Sequence, residues 1–119
     1  MELAFDLPMP PSVNSMFKNV PGKGRAKTKV YRTWVGEAGW MLIVQRNRHK
    51  AHRRIDGPVR VEVAAYRPSS KRRDLDNILK ALLDLLTHTQ TIKDDSQVVE
   101  INARWVSEGV PCTMIVRPL

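Results

Sequence analysis

Apolar and polar residues alternate in some stretches of the chain and recur at helical spacing in others. Glu2 to Leu7 alternates, which predicts a first strand. Pro8, Pro10 and Pro11 then force a turn, and Ser12 to Asn14 leave it. Tyr31, Trp34, Val35, Ala38, Met41 and Leu42 follow helical spacing and predict a helix from about Arg32 to Lys50. Gln45 falls where that stripe would continue, so the apolar face ends there. Asp56-Gly57-Pro58 breaks the chain. Val59, Val61, Val63 and Ala65 then alternate with Arg60, Glu62, Ala64 and Tyr66 as a strand. Leu75, Ile78, Leu79, Leu82, Leu83 and Leu86 recur at i, i+3, i+4, i+7, i+8 and i+11, the apolar face of a buried helix. Val99, Ile101, Ala103 and Trp105 alternate with Val98, Glu100, Asn102 and Arg104, which predicts a half-buried strand. Thr113 to Arg117 closes as a last short strand. Strand, helix, strand, helix, strand, strand predicts an α+β fold. Its sheet is short, mixed or antiparallel, and two main helices pack on one face.

At 119 residues the chain is one domain, residues 1–119, large enough for a single core. Lysine and arginine number 20 against 12 acidic residues, for a net charge of +8. This balance calls for a polyanionic partner, and a membrane-surface or ribosome-associated protein would share it. The single cysteine, Cys112, excludes an internal disulfide framework and fits a reducing cytoplasm. No Cys/His cluster has zinc spacing, and no signal peptide, membrane span or G-x-x-x-x-G-K-[ST] loop appears.

Chemistry concentrates at Lys71-Arg72-Arg73-Asp74-Leu75-Asp76-Asn77. Two carboxylates one residue apart repel unless something neutralises them. A hard divalent cation does so with oxygen ligands, and Lys71, Arg72 and Arg73 are what a phosphate backbone attracts. Helix capping explains Asp74 or Asp76 singly, because Asp is favoured at helix N-termini. It does not explain the pair beside three cations. Lys80 lies four residues after Asp76, which puts both on one helix face. Asp84 reads as a solvated charge. A second acidic pair, Asp94-Asp95, sits between the helix and the next strand, where a turn or a third site carboxylate accounts for it. Two basic segments remain. Arg46, Arg48, Lys50, Arg53 and Arg54 end the first helix, where the dipole alone favours some of them. Lys23, Arg25, Lys27 and Lys29 lie in a Gly- and Lys-rich loop, expected to be a mobile DNA-contacting arm that orders on binding.

RRDLDN, then Lys80, then DDSQVV resembles the RusA family of Holliday junction resolvases, small dimeric endonucleases often carried by prophages. PMPPSVN, from Pro8 to Asn14, resembles that family's opening. The resemblance implies catalytic and metal-binding roles for Asp74, Asp76 and Asp95, and a catalytic role for Lys80. It implies DNA contacts from Arg73, and Asn14 joins the basic residues as an expected DNA contact. It further implies Mg²⁺ as cofactor, with Mn²⁺ able to substitute, and hydrolysis leaving 5′-phosphate and 3′-hydroxyl ends. The implied partners are a four-way DNA junction and a second copy of the chain, with no membrane and no small-molecule cofactor. The implied setting is the cytoplasm of a bacterium, with a bacterial or phage gene. A non-catalytic basic DNA-binding module and a general metal-dependent nuclease are the competing classes.

Overall fold

A computed structural model gives the fold of residues 2–51, 53–67 and 74–119. β1 (Leu3–Leu7) buries Leu3, Phe5 and Leu7 on one side, as its alternation requires. After the proline turn and a 3₁₀ turn at Val13–Ser15, β2 (Phe17–Val20) and β3 (Gly24–Lys27) pair as an antiparallel hairpin. This corrects the expectation of a basic loop ordered only by DNA. Pro21-Gly22 is the turn signal, and Gly22 and Gly24 take positive φ of 75° and 77°, which glycine tolerates without strain. The hairpin stands on the body of the protein through rings. Phe17 meets Tyr31 edge-on at 5.7 Å, and the Arg25 guanidinium lies 4.9 Å from the Phe17 ring centre.

α1 (Lys29–Arg48) begins earlier than its apolar stripe predicts because Thr28 caps it. The Thr28 hydroxyl accepts from the Tyr31 N–H at 3.2 Å and donates to the Ser15 carbonyl at 2.6 Å. Tyr31, Trp34, Ala38 and Leu42 are buried beneath it. Gln45 interrupts the stripe for a reason that only the structure supplies. Its amide accepts from the Asp6 N–H at 2.7 Å and donates to the Asp6 carbonyl at 2.8 Å, occupying backbone groups on the open edge of β1. Arg46 is structural too: its guanidinium donates to the Thr89 carbonyl at 2.7 Å and the Thr91 hydroxyl at 3.0 Å.

β4 (Val59–Tyr66) carries the predicted alternation, with Val59, Val61, Val63 and Ala65 buried. A 3₁₀ turn at Leu75–Ile78 leads into α2 (Leu79–His88), which buries Ala81, Leu82, Leu85 and Leu86. A second 3₁₀ turn, Asp95–Gln97, leads into β5 (Val98–Val106), and β6 (Cys112–Pro118) ends the fold. The main sheet has the order β1-β6-β4-β5. β6 is antiparallel to both neighbours, and β4 and β5 are parallel. Both helices bury their apolar stripes in one core with the inward residues of the sheet. The architecture is therefore α+β with a mixed sheet, as predicted. Cys112 is a core thiol that burial, and then the charge of Asp6, push up to about 12.

β5 departs from expectation. Val99 is 62% exposed and Ile101 43%, because β5 is the edge strand. A register irregularity between Val59 and Arg60 leaves Val99 without a partner on β4.

Gln97 ties the turn before β5 to the segment before β4. Its amide accepts from the Lys93 and Asp94 N–H groups at 2.7 and 2.9 Å. It donates to the Ile55 and Gly57 carbonyls, both at 2.8 Å. Gln97→Ala removes all four bonds and is expected to lower stability by about 2–3 kcal/mol. Urea unfolding checks this through a lower midpoint at an unchanged m-value.

Candidate active site

Both acidic pairs flank α2, and capping sorts their members. Asp94 is the N-cap of the turn Asp95–Gln97 and forms a capping box with Gln97. Its carboxylate accepts from the Ser96 backbone N–H and hydroxyl. Those bonds, led by the hydroxyl, hold Asp94 below its ordinary range. Asp94 is thus committed to the backbone. Asp95, the next residue, is exposed, and its carboxylate makes no hydrogen bond or ion pair among the described residues.

The first pair behaves differently from ordinary caps. Asp74 is the N-cap residue of the turn Leu75–Ile78, yet its side chain makes no capping bond. It receives only a long contact, 3.5 Å, from the Asn77 amide. Asp76, in the same turn, is exposed and has no side-chain partner among the described residues. Capping therefore does not account for the Asp74–Asp76 pair. Lys71, Arg72 and Arg73 lie outside the described residues.

Lys80 points along α2 toward its C-terminus. Its ammonium lies 3.1 Å from Asp84, not over Asp76. Asp84 is accordingly not the solvated charge that its helix position implies. Its side chain is 29% exposed, it takes the Lys80 ion pair, and it lines the same cleft as Tyr31. Burial first, then the nearby Asp84 carboxylate, raise the Tyr31 phenol above its ordinary range. The i,i+4 spacing of Lys80 and Asp84 is readable in the sequence. Tyr31 comes from a distant element, so its proximity leaves no local signal.

A cleft of about 410 Å³ opens between the hairpin, α1, α2 and the turn before β5. Phe17, Tyr31 and Leu85 give it an apolar side, and Lys27, Asp84, Asp94 and Asp95 give it charge. Lys27 lies 5.8 Å from the Tyr31 ring centre and Arg25 lies over Phe17, so two of the predicted DNA contacts sit over rings beside the cleft. Lys23 is at the exposed tip of the hairpin. Lys29 begins α1, where its charge faces the positive end of the helix dipole, a placement folding does not favour. Asn14 is exposed in the turn Val13–Ser15, which contacts the turn bearing Asp76.

The predicted carboxylates do not all meet. Asp74 and Asp76 precede α2 and Asp95 follows it, so the ten-residue helix, about 15 Å long, lies between them. Among the described residues no three acidic, histidine or cysteine side chains gather to hold an ion. The predicted donors are all oxygens, which suits a hard cation, and Mg²⁺ ordinarily takes only one or two carboxylates alongside phosphate and water. Among the described residues no helix is long and apolar enough to cross a membrane.

Comparison with known proteins matches this arrangement to one family. A family model described as Endodeoxyribonuclease RusA matches residues 8–116. A crossover junction endodeoxyribonuclease of Enterobacteria phage HK97 is 37% identical over 106 residues, covering 84% of this chain and 79% of the relative. Its counterpart in Enterobacteria phage 82 is 34% identical over 98 residues, covering 79% and 74%. That of Escherichia coli strain K12 is 33% identical over 98 residues, with the same coverage. The match takes in the hairpin, both helices, both acidic pairs, β4, β5 and most of β6, and the chain belongs to the RusA family of endodeoxyribonucleases.

Proposed function

We propose that this protein is a Mg²⁺-dependent, structure-selective endodeoxyribonuclease. It resolves four-way DNA junctions by paired phosphodiester hydrolysis, acting as a homodimer in the cytoplasm. The observation that carries the reading is the sorting of the aspartates. Asp94 is spent on the backbone, while Asp74, Asp76 and Asp95 present carboxylates that the fold does not use. The relatives named crossover junction endodeoxyribonucleases support the choice of substrate.

Asp74 and Asp76 would hold one Mg²⁺ and Asp95, at the other end of α2, a second, and such an ion would supply neutralisation of the phosphoryl oxygen and activation of the attacking water. Arg25 and Lys27, with Lys71, Arg72 and Arg73, bind the phosphate backbone and draw the strand toward the carboxylates. Lys80 stabilises charge on the attacked phosphate or the leaving oxygen. Asp84, beside Tyr31 in the cleft, orients the Lys80 ammonium before substrate arrives. A four-way junction has two-fold symmetry, and a C₂ dimer supplies two sites to match it.

Asp74→Asn, Asp76→Asn and Asp95→Asn are each expected to abolish cutting and preserve junction binding, read by cleavage and gel-shift assays. Asp94→Asn is expected to retain cleavage and to lose stability through its cap. Full activity in any of the first three removes that residue from the site. Loss of cutting in Asp94→Asn, with Asp95→Asn active, reverses the assignment within the pair.

Lys80 and Lys27 are expected to separate rate from affinity. Lys80→Ala lowers single-turnover cleavage at saturating protein by on the order of a hundredfold, as loss of a transition-state contact does, with the dissociation constant nearly unchanged. Lys27→Ala weakens binding to every DNA shape and reduces the salt slope by about one unit. A Lys80→Ala variant that loses affinity and cuts normally once saturated makes Lys80 a backbone contact only.

Mn²⁺ is expected to replace Mg²⁺ in cleavage. Ca²⁺, larger and less exacting in geometry, supports junction binding with poor cutting. Junction cleavage measured with each ion in turn checks the order, and cutting by Ca²⁺ at the Mg²⁺ rate contradicts it.

A further inference from the structure

The basic segment at the end of α1 has no part in the cleft, and the fold uses only some of it. Arg46 is bonded to Thr89 and Thr91, and Arg54 to Asp56 and Gln90. Arg48, Lys50 and Arg53 are exposed, and their side chains make no hydrogen bond or ion pair among the described residues. The helix dipole favours a cation in the last turn, which accounts for Arg48. Its effect does not extend to Lys50 and Arg53. Lys50 also sits against its backbone preference. Its N–H donates to the Asn47 carbonyl at 3.0 Å and the Ala51 N–H to the Arg46 carbonyl at 3.2 Å, the two bonds of a helix-ending turn that favours glycine. Lys50 takes a φ of 56° there, in the left-handed region. Folding alone does not ask for a lysine at this position.

Trp40 is 70% exposed on the same helix. Trp40, Val44 and Arg48 fall at i, i+4 and i+8, so they share one face. With Met41 and Gln45 they line a groove of about 320 Å³ against β1. Asp6 is the acid of this groove, and its carboxylate is already engaged by the Thr113 hydroxyl at 3.1 Å. None of these residues lines the cleft. Along α1, Arg48 lies about 25 Å from Tyr31, where the helix borders the cleft.

An exposed indole beside uncommitted cations has the composition of a surface for unpaired nucleic acid, in which a ring stacks on a base and cations hold phosphates. A duplex keeps its base faces stacked inside, and the carboxylates of an acidic peptide offer the ring nothing flat to meet. We propose that this end of α1 is a second DNA-binding surface, which takes an unpaired strand. Trp40 stacks on a base, and Val44 beside it shields the stacked base from water. Arg48, Lys50 and Arg53 hold the phosphates that follow. Trp40 and Lys50 are about 15 Å apart along the helix, so the contact spans a few nucleotides. The choice of DNA rests on membership of the RusA family, and the surface is independent of the metal and of the cleft. Through it the protein holds a strand left unpaired beside a branch while the cleft engages the branch itself.

Anisotropy of a labelled oligothymidylate of about 12 nucleotides, with the full chain, no divalent ion and no junction, tests the surface. Wild type is expected to bind, with quenching of tryptophan fluorescence. Trp40→Ala weakens binding about tenfold. Trp40→Phe keeps most of the affinity, because a ring remains, and loses the quenching. Lys50→Gly relieves the backbone, so it melts no lower than wild type, yet it weakens binding and lowers the salt slope by about 0.7. A residue with a structural role alone would not give that combination. No binding by wild type, Trp40→Ala or Lys50→Gly binding as wild type does, or quenching that persists in Trp40→Phe overturns the proposal. Displacement of the strand by polyglutamate at equal charge concentration also overturns it, by making this a general anion surface. A chain that cuts junctions and fails these readouts keeps the nuclease reading and loses the surface. A chain that binds the strand through Trp40 and leaves junctions intact does the reverse.

Discussion

The parallel pairing of β4 with β5 is the constraint on which the rest of the structure depends. A tight turn cannot join parallel strands, so the chain must cross over, and α2 is that crossover. Its apolar stripe closes the core over β4. Its ends place one acidic pair before the helix and the other after it, and its exposed side presents Lys80 and Asp84. One element thus builds the core and arranges the acidic residues on which the proposed chemistry relies. It also sets Asp74 and Asp76 apart from Asp95, so the carboxylates form two groups along the crossover.

Stability and chemistry use the same residue types here, and hydrogen bonding tells them apart. Asp94 and Asp95 are adjacent and chemically identical, but only Asp94 meets the backbone at Ser96. Arg46 and Arg25 are both basic. Arg46 reaches a carbonyl and a hydroxyl at the end of α2, while Arg25 lies over the half-buried ring of Phe17 on the hairpin. A cation bonded inside the fold has a structural duty, and a cation held over a ring at the surface remains available to phosphate.

Much of the fold is legible in the sequence because burial imposes a period. β4 shows this most plainly: both its edges are paired, and Val59, Val61, Val63 and Ala65 mark one face as the buried one. The β2–β3 hairpin escaped because it is short and mostly exposed, so no apolar period marks it. What orders it is a Pro-Gly turn and ring contacts to α1, an element outside its own segment. β5 kept its alternation but not its burial, because periodicity does not tell an edge strand from an inner one. Gln45 looked like the end of a stripe and proved to be its contact with β1. At the site, the acidic pairs and Lys80 were legible as types at a spacing. The proximity of Asp84 to Tyr31 was not, since the two residues come from separate helices.

The central claim is that carboxylates free of structural duty make this RusA-family chain a metal-dependent enzyme that recognises DNA shape. The most direct measurement is cleavage by the wild-type protein of a synthetic four-way junction and of linear duplexes with the same arm sequences. Each is incubated with Mg²⁺ and again with EDTA. The account predicts paired cuts in the junction with Mg²⁺, intact duplexes, and no cutting in EDTA. Equal cutting of junction and duplex, or cutting that survives EDTA, would contradict it.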